Sequence, residues 1–166
     1  SVVDVAGINS VSRRVLANAA HAMAGRGYGL EVDLIKAAHD LDLLTTPYAF
    51  TPSKSATMTK AGADIVVAHM GLTTSGTIGA RSAKSLDDSV REVAAIADAA
   101  KAVRGDVFVL CHGGPLAMPA DAQFVLDRVP ACDGFYGASS LERLPAEVAI
   151  TQQTREFKSL RRGGRR

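Results

Sequence analysis

The stretch VFVLCHGGPLAMPADAQFVLDRVPACDGFYGASS, residues 107–140, decides the fold of this chain. It holds an apolar run at 107–111, an amphipathic helical pattern at 120–129 and a second short apolar run at 134–136. Both apolar runs end in glycines and polar side chains, which is typical of buried strands. Strand, helix and strand in succession predict neighbouring parallel strands joined by a crossover helix.

The same alternation runs along the chain from residue 30. Helical patterns also cover 30–40, 51–61, 86–103 and 147–160, and further strand patterns cover 43–50 and 64–70. Four strand–helix units in so short a chain predict an α/β domain with a parallel sheet. Residues 1–29 fit the alternation less well, because 2–7 could form a strand and 12–24 a helix, and we leave this segment unplaced.

Composition narrows the class of protein. With 166 residues, 47% of them apolar, the chain suits one globular domain with a sizeable core. Tryptophan is absent and aromatic residues make up only 5%, so we expect no base-stacking surface and no nucleic-acid partner. Cys111 and Cys132 give neither a zinc spacing nor a disulfide framework, and Cys111 is expected to be a buried thiol. No secretory signal or long apolar span is visible, so we expect a cytoplasmic protein with no membrane partner.

The net formal charge of +2 hides an uneven distribution. Residues 155–166 hold six basic residues and one acid, so this end carries +5 and the remainder −3. A basic end can contact nucleic acid or an acidic surface. We expect residues 161–166 to be a solvated, disordered tail instead.

Two histidines fall at the ends of neighbouring predicted strands. His69 lies at the end of the run 64–70, and His112 directly follows the run 107–111. The carboxyl ends of parallel strands meet at one edge of the sheet, where active sites of such folds lie. A histidine there can act as general acid or base, or orient an anion; the alternative is a hydrogen-bonded structural histidine. We assign His69 and His112 as candidate catalytic residues.

The turns after these strands form the candidate anion-binding site. Glycine lets the backbone approach a ligand closely, and a helix N-terminus offers free N–H groups. The connection 71–85 also carries hydroxyls and glycines that suit a lid over a small ligand, with an ordinary surface loop as the alternative. The assigned residues are Gly71, Thr73, Thr74, Ser75, Gly113, Gly114, Ser139, Ser140 and Glu142.

A few polar residues also have structural interpretations. Ser139 and Glu142 have the spacing of a capping box, with Ser139 as N-cap. Tyr48 either packs or reaches the crevice through its hydroxyl, and Glu31 is expected on an exposed helix face. Asp64 begins a strand, and residues at that end of barrel strands usually serve stability.

Several segments in fixed order carry a resemblance to a known family. They are GYGLEVDLIKAAHDLDLLTTPYAF (27–50), GADIVVAHMGLTTSGTIGA (62–80), VLCHGGPLAMPADAQFVLDR (109–128) and GFYGASSLERLPAEVAI (134–150). Together they resemble the phosphoenolpyruvate hydrolase-like family of TIM-barrel proteins, also described as barrel-type signal transduction proteins. The resemblance covers about residues 25–160.

The resemblance implies the carboxyl-terminal half of a TIM barrel, truncated at the amino end, because a barrel needs eight strands. Residues 1–24 would then be a divergent amino-terminal segment and 25–160 a (β/α) half-barrel domain. The implied function is hydrolysis of a small phosphorylated or carboxylated acid; a non-catalytic ligand-binding or signalling module derived from the barrel is the alternative. Enzymes of the wider superfamily draw metal-binding acids from earlier strands. A divalent metal therefore stays open, its usual ligands are not visible in this chain, and no cofactor is assigned.

An isolated half-barrel also has consequences for assembly. Four strand–helix units leave two sheet edges open, and open edges pair readily with another chain. We expect a homo-oligomer, most simply a two-fold dimer with an eight-stranded barrel-like sheet. A monomeric, doubly wound open sheet with residues 1–24 covering one edge is the alternative.

Overall fold

Helices and strands alternate along the two stretches that the computed structural model describes, residues 29–76 and 84–160. In chain order they are α1 (Gly29–Asp40), β1 (Tyr48–Ala49), α2 (Pro52–Lys60), β2 (Ile65–His69), α3 (Leu86–Val103), β3 (Phe108–His112), α4 (Pro119–Leu126), β4 (Gly134–Phe135) and α5 (Arg143–Ser159). The features predicted at 2–7, 12–24 and 161–166, and part of the connection 71–85, lie outside the described residues.

The strands are parallel and lie in the order in which they occur in the chain, β1-β2-β3-β4. β2 and β3 pair from Ile65 opposite Phe108 to His69 opposite His112. An order without reversal is that of a barrel segment, whereas a doubly wound sheet reverses at a switch point. The predicted α/β fold of parallel (β/α) units is therefore confirmed, and the described strands are not doubly wound.

The core lies between the sheet and its helices. Successive side chains alternate between the faces of a strand. The fully buried strand residues that face the helices are Ala49, Val66, Ala68, Val109 and Cys111, and Val67 is fully buried on the opposite face of the sheet. Cys111 is a buried thiol, as expected, and shares a hydrogen bond with the thiol of Cys132.

Helix α3 is the longest element over this core and has the predicted bounds. Its buried side chains recur at helical spacing, which gives it one apolar face; they are Ser89, Val93, Ile96, Ala97 and Ala100. The Ser85 hydroxyl accepts a hydrogen bond from the Asp88 amide at 3.0 Å, and the Asp88 carboxylate bonds back to Ser85. This capping box fixes where the helix begins. Within the described stretches, no helix combines the length and apolar character needed to cross a membrane.

Strand β1 is shorter than the pattern 43–50 predicts. Only Tyr48 and Ala49 pair with β2 as strand residues. The chain before them runs alongside β2, since the Pro47 carbonyl accepts a hydrogen bond from the Val67 amide at 2.9 Å. Proline has no N–H for the next bond of the parallel ladder, so regular pairing begins only after it.

The start of α5 also differs from prediction. The helix begins at Arg143, about a turn earlier than expected, and the predicted capping box is absent. Its N-cap is Glu142, whose side chain makes no capping bond. The amides of residues 141–144 already bond to the carbonyl oxygens of Ala138 and Ser139. Because this turn satisfies them with backbone acceptors, the Ser139 hydroxyl has no amide left to cap.

Glu31, expected on an exposed face, is buried with only 3% of its surface accessible. It lies in the first turn of α1, where burial raises its pKa from 4.5 to about 7 and the charge of Lys54 on α2 opposes that rise. Its Oε2 atom has no hydrogen-bond partner among the described residues. The expectation was wrong because the way in which α1 packs against the rest of the domain decides which face of this helix is buried.

Carboxylates bind the amino ends of the strands together. Asp64 Oδ2 accepts hydrogen bonds from the amide and the hydroxyl of Thr45, at 2.8 and 3.0 Å. Asp133 Oδ2 accepts from the Val109 amide at 2.7 Å and from the Lys101 ammonium at 2.9 Å. The stabilising role predicted for Asp64 is therefore the one the structure gives it.

Candidate functional site

Each strand brings one ring to the carboxyl edge of the sheet. Tyr48 comes from β1, His69 and His112 are the last residues of β2 and β3, and Tyr136 directly follows β4. The two imidazole centroids are 4.9 Å apart, and the Tyr48 ring lies 4.9 Å from His69 and 5.3 Å from His112. The Tyr136 ring is 5.7 Å from His112. We call these four residues the histidine–tyrosine cluster.

The hydrogen bonds of the two histidines fix opposite tautomers. The Gly71 amide donates to His69 Nδ1 at 3.0 Å, so the proton of this imidazole lies on Nε2. His112 Nδ1 lies 2.7 Å from the Tyr136 carbonyl oxygen, which can only accept, so Nδ1 carries the proton here. Nε2 is therefore a donor on His69 and an acceptor on His112.

The surroundings of the cluster keep His69, His112 and Tyr48 neutral at pH 7. Burial lowers the pKa of His69 from 6.5 to about 4, and the neighbouring His112 lowers it further. Burial also lowers the pKa of His112, although its bond to the Tyr136 carbonyl opposes this. Burial raises the pKa of Tyr48 to about 12, so its hydroxyl remains a donor. A base and two neutral donors thus lie side by side.

The first part of the loop after β2 is attached to the turn after β3. The Gly114 amide donates to the Gly71 carbonyl oxygen at 2.7 Å, and the Thr74 amide donates to the Gly114 carbonyl oxygen at 3.2 Å. The Thr74 hydroxyl reaches the same oxygen at 3.4 Å. Residues 71–74 are therefore held beside the two histidines.

The glycines of these turns are needed for this close approach. Gly113 and Gly114 have φ angles of 74° and 60°, and a Cβ on either would lie within about 2.5 Å of the Gly71 or Met70 carbonyl oxygen. Since the Gly114 amide is bonded to the neighbouring turn, it is not aimed at an anion in this arrangement. The anion-binding role assigned to Gly113 stays a prediction.

The other candidate residues lie on either side of the cluster. The Ser75 carbonyl oxygen accepts from Arg143 of α5 at 3.0 Å, which fixes the far end of the described loop; Thr73 lies between the attached residues. Ser139, Ser140 and Glu142 form the turn between β4 and α5. Among the described residues, no hydrogen bond or ring contact joins these three to the cluster. The structure therefore brings together the histidines and the loop, but leaves the last turn apart from them.

Sequence reasoning missed three residues around the site. Tyr136 supplies both a ring and the carbonyl that orients His112. Phe50, two residues beyond Tyr48, places its ring 4.7 Å from that of His69. Lys84, paired with Glu92, is close enough to contribute to lowering the pKa of His69. The aromatic residues at the strand ends were a usable signal, whereas nothing in the sequence marks Lys84.

The described residues do not offer a metal centre. Nowhere in 29–76 or 84–160 do three histidine, cysteine, aspartate or glutamate side chains group so that they could hold an ion. These residues therefore do not fit a metal site, and we derive no step that passes through one.

Comparison with known sequences and structures identifies the family. The phosphoenolpyruvate hydrolase-like family matches residues 8–160, which includes the whole described sheet and its crevice. The chain belongs to this family. The match also takes in residues 8–24, which the resemblance drawn from motifs left out.

Relatives in the family are much longer than this chain. The chain is 59% identical over 136 residues to "ToMV resistance protein Tm-1(GCR237)" of Solanum lycopersicum, covering 82% of this chain and 18% of that protein. It is 29% identical over 137 residues to "Putative transcriptional regulatory protein y4pA" of Sinorhizobium fredii, covering 82% of this chain and 22% of that protein. The chain thus spans about a fifth of the length of these relatives.

A solved structure, a nitroalkane oxidase from Streptomyces ansochromogenes, is similar with a TM-score of 0.43 and 24% identity. The similarity covers 66% of this chain and 31% of the oxidase.

Proposed function

We propose that the histidine–tyrosine cluster is the active site of a hydrolase that acts on a small phosphorylated or carboxylated acid. The observation that carries this proposal is the pair of opposite tautomers, which places a base and a donor on rings 4.9 Å apart. Hydrolysis needs both, because water must lose a proton while negative charge grows on an oxygen of the substrate. Membership of the phosphoenolpyruvate hydrolase-like family supports this substrate class.

His112 is the general base in this scheme. Its Nε2 takes a proton from water as the water oxygen bonds to the phosphorus or acyl carbon of the substrate. The bond from that atom to the leaving oxygen breaks, and the leaving oxygen takes up the proton that the His112 imidazolium holds. The Tyr136 carbonyl accepts from Nδ1 at 2.7 Å, so it orients the ring and stabilises the imidazolium that forms. Because burial lowers the pKa of His112, the base is unprotonated at neutral pH.

His69 and Tyr48 are the donors to the developing negative charge. His69 presents an N–H at Nε2 because the Gly71 amide occupies Nδ1. The raised pKa of Tyr48, about 12, keeps its hydroxyl protonated. Fixed donors in a partly dry crevice stabilise an oxyanion more strongly than mobile water does.

The acidic group of the substrate is held by the loop side of the crevice. Lys84 contributes positive charge that acts on His69. The hydroxyls of Thr73, Thr74 and Ser75 lie on the loop segment attached to the β3 turn. We expect an anion to bind between this loop and the histidines.

The alternative function, a ligand-binding or signalling module without turnover, has one observation in its favour. A relative that is 29% identical over 137 residues carries the name of a putative transcriptional regulatory protein, which favours a regulatory role without turnover. Such a module would keep the anion site and lose the chemistry.

Assays of glutamine variants test the hydrolase. Phosphoenolpyruvate and related phosphorylated and carboxylated acids are screened for turnover and, in parallel, for binding by calorimetry. His112→Gln and His69→Gln should each lower the hydrolysis rate by about 10²–10⁴. His39→Gln is the matched control, since His39 is an exposed histidine on α1.

Two outcomes would count against the hydrolase. Binding of an acid without turnover would leave only the alternative function, a ligand-binding or signalling module. Turnover that stays within a few-fold of wild type in both crevice variants would remove the histidines from the mechanism.

A further inference from the structure

Three polar atoms of the histidine–tyrosine cluster are left for a ligand. His69 and His112 each use Nδ1 for a backbone group, and within 29–76 and 84–160 neither Nε2 atom makes a hydrogen bond. The hydroxyl of Tyr48, whose ring contacts both imidazoles, makes none there either. All three side chains are half-buried, so the crevice stays open to a small molecule.

A base beside two neutral donors suits a carbonyl compound that has a hydrogen on the neighbouring carbon. The carbonyl oxygen accepts from the donors while the base meets the hydrogen one carbon further along. Because that oxygen and that hydrogen belong to adjacent carbons, the base and the donors must lie side by side. The rings of His69 and Tyr48 lie 4.9 and 5.3 Å from that of His112, which meets this condition.

The donors also have the charge state that such a reaction needs. Negative charge grows on the carbonyl oxygen only as the C–H bond breaks, so fixed, neutral donors favour the transition state over the bound substrate. Burial lowers the pKa of His69 to about 4 and raises that of Tyr48 to about 12, so one is a neutral N–H donor and the other a neutral O–H donor. A neutral imidazole can polarise a carbonyl in this way.

The low basicity of His112 makes the donors essential. Burial lowers the pKa of this histidine, so alone it is poorly matched to a proton bound to carbon. Donors that stabilise the enolate make the neighbouring C–H bond more acidic and so offset this mismatch. We therefore expect that losing one donor is about as costly as losing the base.

A carboxylate directly next to the carbonyl fits the loop side of the crevice. Lys84 contributes positive charge that helps to lower the pKa of His69, so an anion near this histidine is favoured. Thr74 is held there by bonds from its amide and hydroxyl to the Gly114 carbonyl oxygen. In a 2-oxo acid the carboxylate and the carbonyl are adjacent, so one small molecule can reach the loop and the donors together.

We propose that the histidine–tyrosine cluster enolises small 2-oxo acids. His112 Nε2 takes the proton from the carbon next to the carbonyl, and the electron pair of the broken C–H bond forms the C=C bond of the enolate. The π electrons of the carbonyl move to its oxygen, which accepts from His69 Nε2–H and the Tyr48 hydroxyl. In the reverse step the imidazolium returns a proton to the carbon and the ketone forms again.

This activity shares its base and donors with the proposed hydrolase, but it does not depend on hydrolysis. It needs neither a water nucleophile nor a leaving group. Because the crevice is open, the proton on His112 exchanges with solvent between the two steps. Enolisation in D₂O should therefore replace hydrogen on the substrate by deuterium.

Proton NMR of pyruvate in an amine-free D₂O buffer tests the proposal with the full 166-residue chain. The methyl signal should decay faster than in buffer alone. 2-Oxobutyrate should exchange the hydrogens next to its ketone and keep those of its methyl group. Acetate, which has a carboxylate but no ketone, is the control substrate and should not exchange.

Variants of the cluster test the assigned roles. His112→Gln, His69→Gln and Tyr48→Phe should each lower the protein-dependent exchange rate by about 10²-fold or more. His39→Gln, at an exposed histidine of α1, is the matched control and should stay within a few-fold of wild type. Circular dichroism checks that each variant remains folded.

No exchange above the buffer rate with either 2-oxo acid would overturn the proposal, and so would exchange that stays within a few-fold of wild type in all three cluster variants. The parallel screen for hydrolysis separates the two activities. Exchange without hydrolysis would support enolisation and count against the hydrolase, and hydrolysis without exchange would do the opposite.

Discussion

The two edges of the sheet use polar side chains in opposite ways. At the amino edge, Asp64 and Asp133 are each bonded to two donors, so their acceptor groups are satisfied within the protein. At the carboxyl edge, the histidines use only Nδ1 for a backbone partner, and Nε2 of His69 and His112 is left for chemistry. The first edge holds strands together, and the second offers a base and a donor.

The difference between the edges follows from the free-energy cost of burying each side chain in its charged form. Each carboxylate of the amino edge accepts hydrogen bonds from an amide and from a hydroxyl or ammonium group, and these bonds offset the cost of burying its charge. The rings of the carboxyl edge have no ionic partner, so burial keeps them neutral. Changes at the amino edge should therefore alter stability, and changes at the carboxyl edge should alter activity.

After the two histidines, the largest effect on activity should come from one hydroxyl at the carboxyl edge. Tyr48→Phe removes a donor to the developing charge but keeps the ring that packs on both histidines, and should lower kcat by about 10²–10³. Tyr136→Phe is the control, because Tyr136 orients His112 through its backbone carbonyl. Steady-state kinetics with the acid identified by screening give the comparison. Equal losses in the two variants would remove Tyr48 from its donor role.

Gly114, in the turn after β3, should show that the carboxyl edge of the sheet also contributes to stability. Gly114→Ala forces a side chain at φ 60° into the Met70 carbonyl oxygen, and should cost about 2–4 kcal/mol of unfolding free energy. Gly105→Ala is the matched control, since a Cβ at Gly105 meets nothing within 4 Å. Urea unfolding measures both variants. A Gly114→Ala protein as stable as the control would mean that the two turns separate without cost.

The sequence was sufficient to predict the sheet and part of the site. Apolar runs that end in His69 and His112 specify buried parallel strands, because such strands need no polar face and their ends carry the first polar residues. The strand register then brings the two histidines opposite each other, as their positions at the ends of the apolar runs predict. Their tautomers could not be predicted, because each depends on one backbone group from another turn.

Other predictions from the sequence were wrong because they depend on contacts between elements that are far apart in the chain. The length of β1 depends on one missing N–H at Pro47, and the capping box at Ser139 was displaced by a backbone turn. The burial of Glu31 depends on how α1 packs against the rest of the domain. Periodicity within one element does not contain this information.

An amino-edge carboxylate should affect stability alone. Asp133→Ala leaves the Lys101 ammonium and the Val109 amide without their acceptor, and should cost about 1–3 kcal/mol. kcat and KM should be unchanged, because Asp133 lies at the other end of the strands from the cluster. Asp98→Ala is the control, an exposed carboxylate on α3. Thermal unfolding and kinetics on the same samples decide; a fall in kcat without a fall in Tm would break the distinction between the edges.

The smallest expected effect is on the pH dependence of stability, because the buried side chains of Glu31 and His69 change the unfolding free energy in opposite directions. The folded pKa of Glu31, about 7, lies above the ordinary value of 4.5 for this side chain. The folded protein therefore binds the extra proton, and this stability is lost as pH rises from 4.5 through 7. The folded pKa of His69, about 4, lies below 6.5, so its contribution is present above pH 6.5 and is lost as pH falls toward 4. His112 acts in the same direction as His69.

Between pH 4.5 and 6.5 these contributions partly cancel in the wild type, and single variants should separate them. Glu31→Gln should make the unfolding free energy fall more steeply on acidification than in wild type, by about 1–2 kcal/mol across this window. His69→Gln should change the slope the other way by a similar amount, because the glutamate then acts with less opposition. Glu31→Gln should also stabilise the protein at pH 7.5, where wild type keeps a buried carboxylate with no partner for Oε2 among the described residues. Urea unfolding at a series of pH values measures all three proteins, with His39→Gln as control for an exposed histidine. Parallel pH curves for the two variants would show that neither group is buried in solution as it is in the structure.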